Sequence, residues 1–221
     1  MRDLALTSHG VELELCPERA AYRPDRREVL VADVHLGKAA TFRRAGRPIP
    51  RGTTAGELAR LDALVERKGA ARLTILGDLF HADVEPDSPT AETFRAWLAA
   101  RGGLELLLVQ GNHDRHARRL LDELDLRMVP EPYEADGIAY RHHPRGEGPF
   151  VAGHLHPGAR LDDGRDRLKV PVFWERADGL VLPAFGAFTG QHVVQASPTD
   201  RIAAVTPTGV IAVPTALLAE Y

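Results

Sequence analysis

Three apolar segments, each predicted to form a strand and each followed by a short polar motif, constrain the fold of this chain more than any other feature. They lie at residues 28–32, 72–76 and 104–109, and helical patterns at 53–68 and 89–101 separate them. This order predicts parallel strands joined by right-handed crossovers. Because the carboxyl ends of parallel strands meet at one edge of a sheet, the three polar motifs should converge there.

The second half of the chain has a different pattern, in which turn residues separate short predicted strands. These strands are expected at residues 137–141, 150–152, 168–174, 180–182, 201–205 and 210–213. An alternating segment at 11–16 predicts a further strand near the N-terminus, and a third helix is expected at 115–124. We therefore predict an α/β fold, a sandwich of two stacked mixed β-sheets flanked by helices, formed by a single domain over residues 1–221.

The polar motifs contain the side chains that bind transition metals. Asp33 and His35 follow the first predicted strand, Asp78 follows the second, and Asn112 and His113 follow the third. Two later motifs add four histidines after predicted strands: His142, His143, His154 and His156. Imidazole and carboxylate groups together suit Mn, Fe or Zn. A two-metal phosphoesterase needs one carboxylate between its ions, and Asp78, which is central in the motif order, is the natural bridge.

Two of the motifs pair potential ligands at a spacing of two. Asp33 and His35 are separated by one residue, as are His154 and His156, so in an extended segment each pair would point the same way. Each motif alone is common in turns and on surfaces. The metal-site prediction rests on the combination, because four such motifs each follow an apolar strand in one order.

Taken together, the motifs resemble the signature set of the calcineurin-like metallophosphoesterases. They are Asp-x-His at 33–35, Gly-Asp at 77–78, Gly-Asn-His-Asp at 111–114, a histidine at 142 or 143, and Gly-His-x-His at 153–156. The resemblance covers residues 28–157 and implies two divalent ions, the first held by Asp33, His35, Asp78 and His156. It implies a second ion held by Asp78, Asn112, the later histidine and His154. It also implies a two-sheet sandwich and a catalytic His113 that Asp114 orients.

The residues themselves leave a choice between His142 and His143 as the later ligand. Alternation along the strand predicted at 137–141 places His142 on the face of the apolar Ile138 and Tyr140. We therefore favour His142 as the ligand and retain His143 as the alternative.

A narrower resemblance, over most of the chain, is to the bacterial ligase-associated DNA damage response endonucleases. The matching segments lie at 33–38, 41–43, 46–50, 77–81, 152–157, 182–186 and 189–190. Members of this subgroup are encoded beside an ATP-dependent DNA ligase, a helicase and an exonuclease. The resemblance thus implies a DNA substrate and a functional association with those enzymes. Two positions depart from the subgroup, because Gln191 replaces an expected glycine and His143 an expected glutamate.

We expect the reaction to be hydrolysis of a phosphodiester by a metal-bound hydroxide, with manganese as the metal and iron or zinc as alternatives. The formal net charge of −3 gives no general sign of nucleic-acid binding. Residues 38–51, however, contain five cationic and no acidic residues and closely follow His35. Arg43 and Arg44 in this stretch are predicted to bind the substrate backbone. An ordinary solvated surface is the alternative explanation.

Other functions compete with DNA cleavage. A cyclic or small nucleotide is an alternative substrate, whereas a phosphoprotein is disfavoured because Gln110 and Asp114 stand where protein phosphatases typically have Arg and Glu. A non-catalytic scaffold would have lost ligands, but every ligand position is filled. No segment is apolar enough for a signal peptide or membrane span, so we expect a cytoplasmic protein without a membrane partner. The oligomeric state stays open, with a homodimer as one option.

Overall fold

The first β-sheet carries its strands in chain order. The computed structural model describes residues 1–48, 50, 52–81, 84–162 and 167–214. Within them this sheet contains β1 Leu4–Ser8, β2 Val11–Cys16, β3 Ala20–Arg23, β4 Glu28–Val31, β5 Arg72–Leu76, β6 Glu105–Val109 and β7 Arg127–Val129. Strands β1 to β4 pair antiparallel, and β4 to β7 pair parallel. The parallel half confirms the predicted unit of alternating strands and helices.

The second sheet is mixed, as expected. Its strands are β8 Tyr133–Ala135, β9 Ile138–Arg141, β10 Phe150–Ala152, β11 Pro157–Asp162, β12 Arg167–Arg176, β13 Gly179–Val181, β14 His192–Val193, β15 Arg201–Val205 and β16 Val210–Val213. The central path runs β14-β11-β12-β13-β10-β9-β8, and β15 joins β12 to β16. Strand β10 lies parallel to both β9 and β13, so β9 and β10 end at the same edge.

Helices flank the first sheet. They are α1 Lys38–Arg44, α2 Thr53–Lys68, α3 Pro89–Ala99 and α4 Arg118–Glu123, together with 3₁₀ helices at Pro24–Arg26 and Asp114–Ala117. Helix α2 has the predicted bounds, and the Ser88 hydroxyl caps α3 by accepting the Ala91 N–H. The helix predicted at 115–124 is wrong in its first turn. There the chain forms a 3₁₀ turn because the Asp114 carboxylate is tied to backbone N–H groups at the ends of β5 and β6.

The core has two main layers, one on each face of the first sheet. On the outer face, helical side chains such as Leu61, Phe94 and Leu120 form one apolar cluster with the sheet. On the inner face, side chains such as Leu30 pack with residues of the second sheet, including Tyr140. Cys16 is buried in the outer cluster. No helix among the described residues is long and apolar enough to cross a membrane.

A buried polar network joins the sheets where β4 and β9 face each other. The Tyr140 hydroxyl donates to Glu28 Oε2 over 2.8 Å, and Thr74 Oγ1 donates to Glu28 Oε1 over 2.6 Å. Arg23 adds hydrogen bonds to the Tyr140 hydroxyl and the Ala135 carbonyl. Because these buried groups are paired, they fix the position of β9 relative to β4.

Candidate metal centre

The strand ends bring the predicted metal ligands together at one edge of the sandwich. His142 Nε2, after β9, lies 2.8 Å from Oδ1 of Asn112, after β6. The His154 N–H, after β10, donates to Asp33 Oδ2, after β4, over 2.8 Å. His156 Nε2 lies 3.3 Å from Asp33 Oδ1. Residues from both sheets therefore face one space.

Asp78 occupies the middle of this space. Its Oδ2 lies 3.9 Å from His35 Nε2 on one side and 3.6 Å from His142 Nε2 on the other. Its Oδ1 accepts the backbone N–H of His113 over 2.8 Å, which fixes the orientation of the carboxylate. One oxygen is thus anchored, and the other faces both groups of donors. This is the arrangement that a bridging carboxylate requires.

The backbone at these residues differs from the extended form that we expected for the Asp-x-His and His-x-His pairs. The φ angles are 53° at Asp33, 51° at His35 and 54° at Asp78, and they are 71° at His154 and 48° at His156. These are left-handed conformations, which cost non-glycine residues on the order of 1 kcal/mol each. The side chains converge because each motif turns tightly at the ligand residues, and not because alternate residues of a strand share a face.

Two glycines allow the strand ends to approach this closely. A Cβ built on Gly77 would lie 2.6 Å from His142 Cγ and closer still to Nδ1 of that ring. A Cβ built on Gly111 would lie 2.5 Å from the backbone nitrogen of Asp78 and closer to its Oδ1. Neither contact is sterically possible, so both turns require glycine at these two positions.

The protonation states of the cluster favour metal binding. Burial lowers the pKa of His35 to about 2 and that of His154 to about 4, which leaves neutral imidazoles at physiological pH. Burial opposes ionisation of Asp33, but His156 and other imidazoles outweigh it and lower the pKa of that carboxyl. Asp33 Oδ1 and His35 Nδ1 are buried without hydrogen bonds. Burial raises the pKa of the Asp78 carboxyl, and burial opposes protonation of His156 while Asp33 outweighs it and raises the pKa of that imidazole. The neutral imidazoles of His35 and His154 and the ionised carboxylate of Asp33 are donors that a divalent transition metal takes.

Comparison with known proteins agrees with this donor set. The family model of the calcineurin-like phosphoesterases matches residues 27–196. The chain belongs to this family. It is therefore a hydrolase of phosphoric ester bonds, and its family binds divalent metals.

One solved structure resembles this phosphoesterase along its whole length. The nuclease MPE of Pseudomonas putida is 35% identical, with a TM-score of 0.84, and the match covers 96% of this chain and 100% of that one. It supports the predicted two-sheet sandwich. Yfce, a phosphoesterase from E. coli, is 13% identical with a TM-score of 0.42 over 81% of this chain and 88% of that one, too distant to support any argument. No curated protein sequence gives a match.

The two histidines after β9 have different surroundings in this phosphoesterase. His142 is fully buried among Asn112, Asp78 and His154, and its Nδ1 lies 3.0 Å from the Leu76 carbonyl. His143 Nδ1 instead lies 2.6 Å from Glu131 Oε1. Contacts with the other candidate ligands thus favour His142, although the ring centroid of His143 is only 4.4 Å from that of His154.

Asp114, which the resemblance implied would orient His113, makes no hydrogen bond to its imidazole. Its carboxylate accepts the backbone N–H groups of Gly111, Asp78 and Leu79 at 2.8, 2.9 and 3.0 Å. His113 Nδ1 is buried without a hydrogen-bond partner. Burial raises the pKa of Asp114 to about 6, although the three N–H groups favour its charged form. Asp114 therefore holds the turns that carry the candidate ligands, while the imidazole of His113 is positioned by its neighbours.

His81 is the residue at the centre that the sequence reasoning missed. Its ring stacks on that of His113, with centroids 5.3 Å apart and an interplanar angle of 29°. His35 lies edge-on to both rings, with centroids at 5.2 and 5.1 Å. Burial lowers the pKa of His81 to about 4, so the stacked ring is neutral. The sequence did point to His81, because this residue lies shortly after β5 and ends the segment 77–81 that resembles the endonuclease subgroup.

The predicted substrate-binding arginines lie on α1, which begins three residues after His35. Arg43 Nη1 donates to the Pro50 carbonyl over 2.8 Å, and Arg44 Nη2 donates to Thr41 Oγ1 over 3.3 Å. These hydrogen bonds stay within the basic segment and leave Arg44 exposed. Arg51, the last cation of that segment, lies outside the described residues.

Proposed function

We propose that this phosphoesterase hydrolyses phosphodiester bonds of nucleic acid, with DNA as its substrate, and that it uses two divalent ions, of which manganese is the expected metal. The observation that carries the two-ion assignment is the position of Asp78 Oδ2, between His35 Nε2 and His142 Nε2. The nucleic-acid assignment is supported by the similarity to the Pseudomonas putida nuclease and by the basic helix α1 that follows His35.

Two groups of donors fit the ions. The first would be held by Asp33, His35, Asp78 and His156, and the second by Asp78, Asn112, His142 and His154. The Gly190 carbonyl lies 3.2 Å from His156 Nδ1, so it can accept that N–H and leave Nε2 free for an ion. When bound, the ions would lower the pKa of a water molecule and neutralise charge on the phosphoryl group.

We assign His113 the role of protonating the leaving oxygen. Its Nε2 lies 3.9 Å from Asp78 Oδ2, and a third of its side chain is exposed, so a bound ester is within its reach. The stacked ring of His81 and the edge of His35 restrict rotation of the imidazole. Asp114 acts indirectly, by holding the backbone at Asp78 and Gly111. General acid catalysis of this kind contributes roughly 10²–10⁴-fold to the rate.

The resemblance to ligase-associated repair endonucleases extends the proposal to DNA repair. In that role the enzyme would cut DNA internally and act in functional association with an ATP-dependent DNA ligase, a helicase and an exonuclease. Closed circular DNA provides a simple assay for internal cutting, because it has no ends at which cleavage could begin.

The test of substrate class is a turnover panel with metal-stripped protein to which Mn²⁺ is added. The panel contains linear and circular DNA, RNA, cyclic nucleotides and a phosphoserine peptide, with Asp78→Asn as the inactive control. We expect cleavage of linear and circular DNA and none of the peptide. Rapid turnover of a cyclic or small nucleotide diester with no cleavage of DNA or RNA would refute the nucleic-acid assignment.

The role of His113 has a separate test, which compares two leaving groups. His113→Ala should slow DNA cleavage by roughly 10²-fold or more, because an alkoxide leaving group needs a proton. The loss should be smaller with bis(p-nitrophenyl) phosphate, because p-nitrophenolate leaves without one. Equal losses on both substrates would leave His113 an electrostatic role only.

A further inference from the structure

A groove leads away from the metal centre on the side of Asn112. Its first part has a volume of about 330 Å³ and extends from Asn112 and Arg115 to Glu131 and His143. Its second part has a volume of about 370 Å³ and continues from Glu131 and His143 to Arg145. The two parts adjoin, because they share Glu131 and His143, and we call them together the Asn112 groove.

The groove lies apart from the basic helix α1. Asn112 follows β6 and His143 follows β9, whereas α1 begins shortly after β4. In the first sheet β5 lies between β4 and β6, so the segment that leads into α1 and the segment that carries Asn112 leave the sheet from strands on either side of β5. A strand that crosses the metal centre can therefore contact one of them on each side of the reacting phosphate.

The charges that face the Asn112 groove are mainly positive. The carboxylate of Glu131 is occupied, since Oε2 accepts the N–H groups of His142 and His143 at 2.8 Å and Oε1 lies 2.6 Å from His143 Nδ1. Arg115 and Arg145 are among the residues that line the groove, and both are exposed. An anionic strand would thus meet cations and a carboxylate that is already hydrogen-bonded.

The turn that carries Arg145 beside the groove is held by side-chain hydrogen bonds. Arg141 Nη1 donates to the Arg145 carbonyl over 2.7 Å, and Arg141 Nη2 donates to the Glu147 carbonyl over 2.6 Å. These two bonds hold the turn that carries Arg145 beside the groove. A cation on a fixed turn loses less conformational entropy on binding a phosphate than one on a free chain.

We propose that the Asn112 groove binds the nucleic-acid strand on one side of the scissile phosphate, with Arg115 and Arg145 contacting its backbone phosphates. This inference rests on the proposed nucleic-acid substrate. Each part of the groove falls at the lower end of the range for small-ligand sites, about 300 Å³, which suits roughly one nucleotide. No phenylalanine, tyrosine or tryptophan is among the described residues that line it. The one imidazole in the lining, that of His143, has its Nδ1 2.6 Å from Glu131 Oε1. We therefore expect the groove to bind the backbone without reading the bases.

The first test measures binding without turnover. Fluorescence anisotropy of a labelled oligonucleotide is recorded with metal-free protein and repeated with Mn²⁺ and an uncleavable linkage. Arg115→Ala and Arg145→Ala should each weaken binding about tenfold and lower the slope of log affinity against log salt by about 0.7. Arg119→Ala is the matched control, because Arg119 is exposed one turn further along, pairs with Glu123 and does not line the groove. It should change affinity by less than about twofold.

The second test locates the strand by cross-linking. Cys16 is the chain's single cysteine and is buried, so new cysteines can be labelled selectively. Arg145→Cys should cross-link to an oligonucleotide that carries a thiol-reactive group on one side of an uncleavable scissile linkage, and less to one that carries it on the other side. Arg119→Cys is again the control and should not cross-link with either.

The outcomes separate this inference from the proposed function. If wild-type protein neither binds nor cleaves any nucleic acid, the proposed function fails and the groove fails with it. If wild-type protein cleaves DNA while Arg115→Ala and Arg145→Ala bind and cleave it normally, only the groove proposal is overturned. Cross-linking at Arg145→Cys that is equal from both sides, or no faster than at Arg119→Cys, overturns it as well.

Discussion

Substituting Gly111 with alanine should damage the centre without replacing any candidate ligand. The new Cβ would lie 2.5 Å from the Asp78 nitrogen, whereas ordinary contact begins at 3.4 Å. The turn that carries Asp78 must therefore recede by about 1 Å. That movement displaces the Asp78 carboxylate, which lies between the two groups of donors. It also disturbs the hydrogen bond that this carboxylate accepts from the backbone N–H of His113. A misplacement of this size costs on the order of 10²-fold in rate, and the overpacking costs about 1–3 kcal/mol of stability.

The assay is kcat for bis(p-nitrophenyl) phosphate at saturating Mn²⁺, together with a thermal melt. Gly103→Ala is the matched control, because its Cβ meets nothing within 4 Å and it precedes the same strand, β6. We expect Gly103→Ala to retain the wild-type rate. A folded Gly111→Ala protein with the full rate would refute the claim that the close approach of the β5 and β6 turns positions Asp78.

Three further predictions test other parts of the account. His142→Ala should lose bound metal in elemental analysis while His143→Ala retains it, and the reverse result would transfer the ligand assignment to His143. Burial raises the pKa of Glu57 from 4.5 to about 6, so the folded state binds this proton more tightly than the unfolded chain. This difference in proton binding contributes about 1–2 kcal/mol to the free energy of unfolding. The contribution is fully present below pH 4.5 and is lost as the pH rises through about 6. Urea unfolding of Glu57→Gln should lack this decline between pH 4.5 and 7, and a decline equal to that of wild type would contradict the assignment. Cys16, whose pKa burial raises to about 12, should react with Ellman's reagent only after unfolding, and rapid labelling of native protein would contradict its burial.

The sequence was informative where burial on both faces left an unambiguous pattern. Strands β4, β5 and β6 are mostly apolar, and their order with α2 and α3 implies parallel pairing. Once the strands are parallel, their polar ends must meet at one edge. The convergence of Asp33, Asp78 and Asn112 was therefore predictable without any knowledge of the turns.

The turns themselves were not predictable from local pattern. Asp33 and His35 looked like alternate residues of an extended segment, but both adopt left-handed conformations. Such conformations persist because distant contacts determine them, including the N–H of His154 on Asp33. Asp114 shows the same limit, because its partners at Asp78 and Leu79 lie more than 30 residues away. The family resemblance implied that Asp114 orients His113, whereas the fold uses this carboxylate to tie two turns together.

Short strands were also missed, among them β7, β8 and β14. Each has three residues or fewer, so none contains enough positions to establish an alternating pattern. Their pairing comes from the neighbouring strand and not from their own composition. The mixed character of the second sheet was predicted, while its strand order required the structure.

The central claim is that Asp78 bridges two divalent ions, and metal stoichiometry tests it most directly. Protein is stripped with a chelator, reloaded with excess Mn²⁺, desalted and analysed for bound metal, with a thermal melt to verify folding. We predict two ions per chain for wild type, about one for Asn112→Ala, and less than one for Asp78→Asn, because loss of the shared carboxylate weakens both sites. Two ions retained by folded Asp78→Asn protein, or a single ion in wild type, would contradict the account.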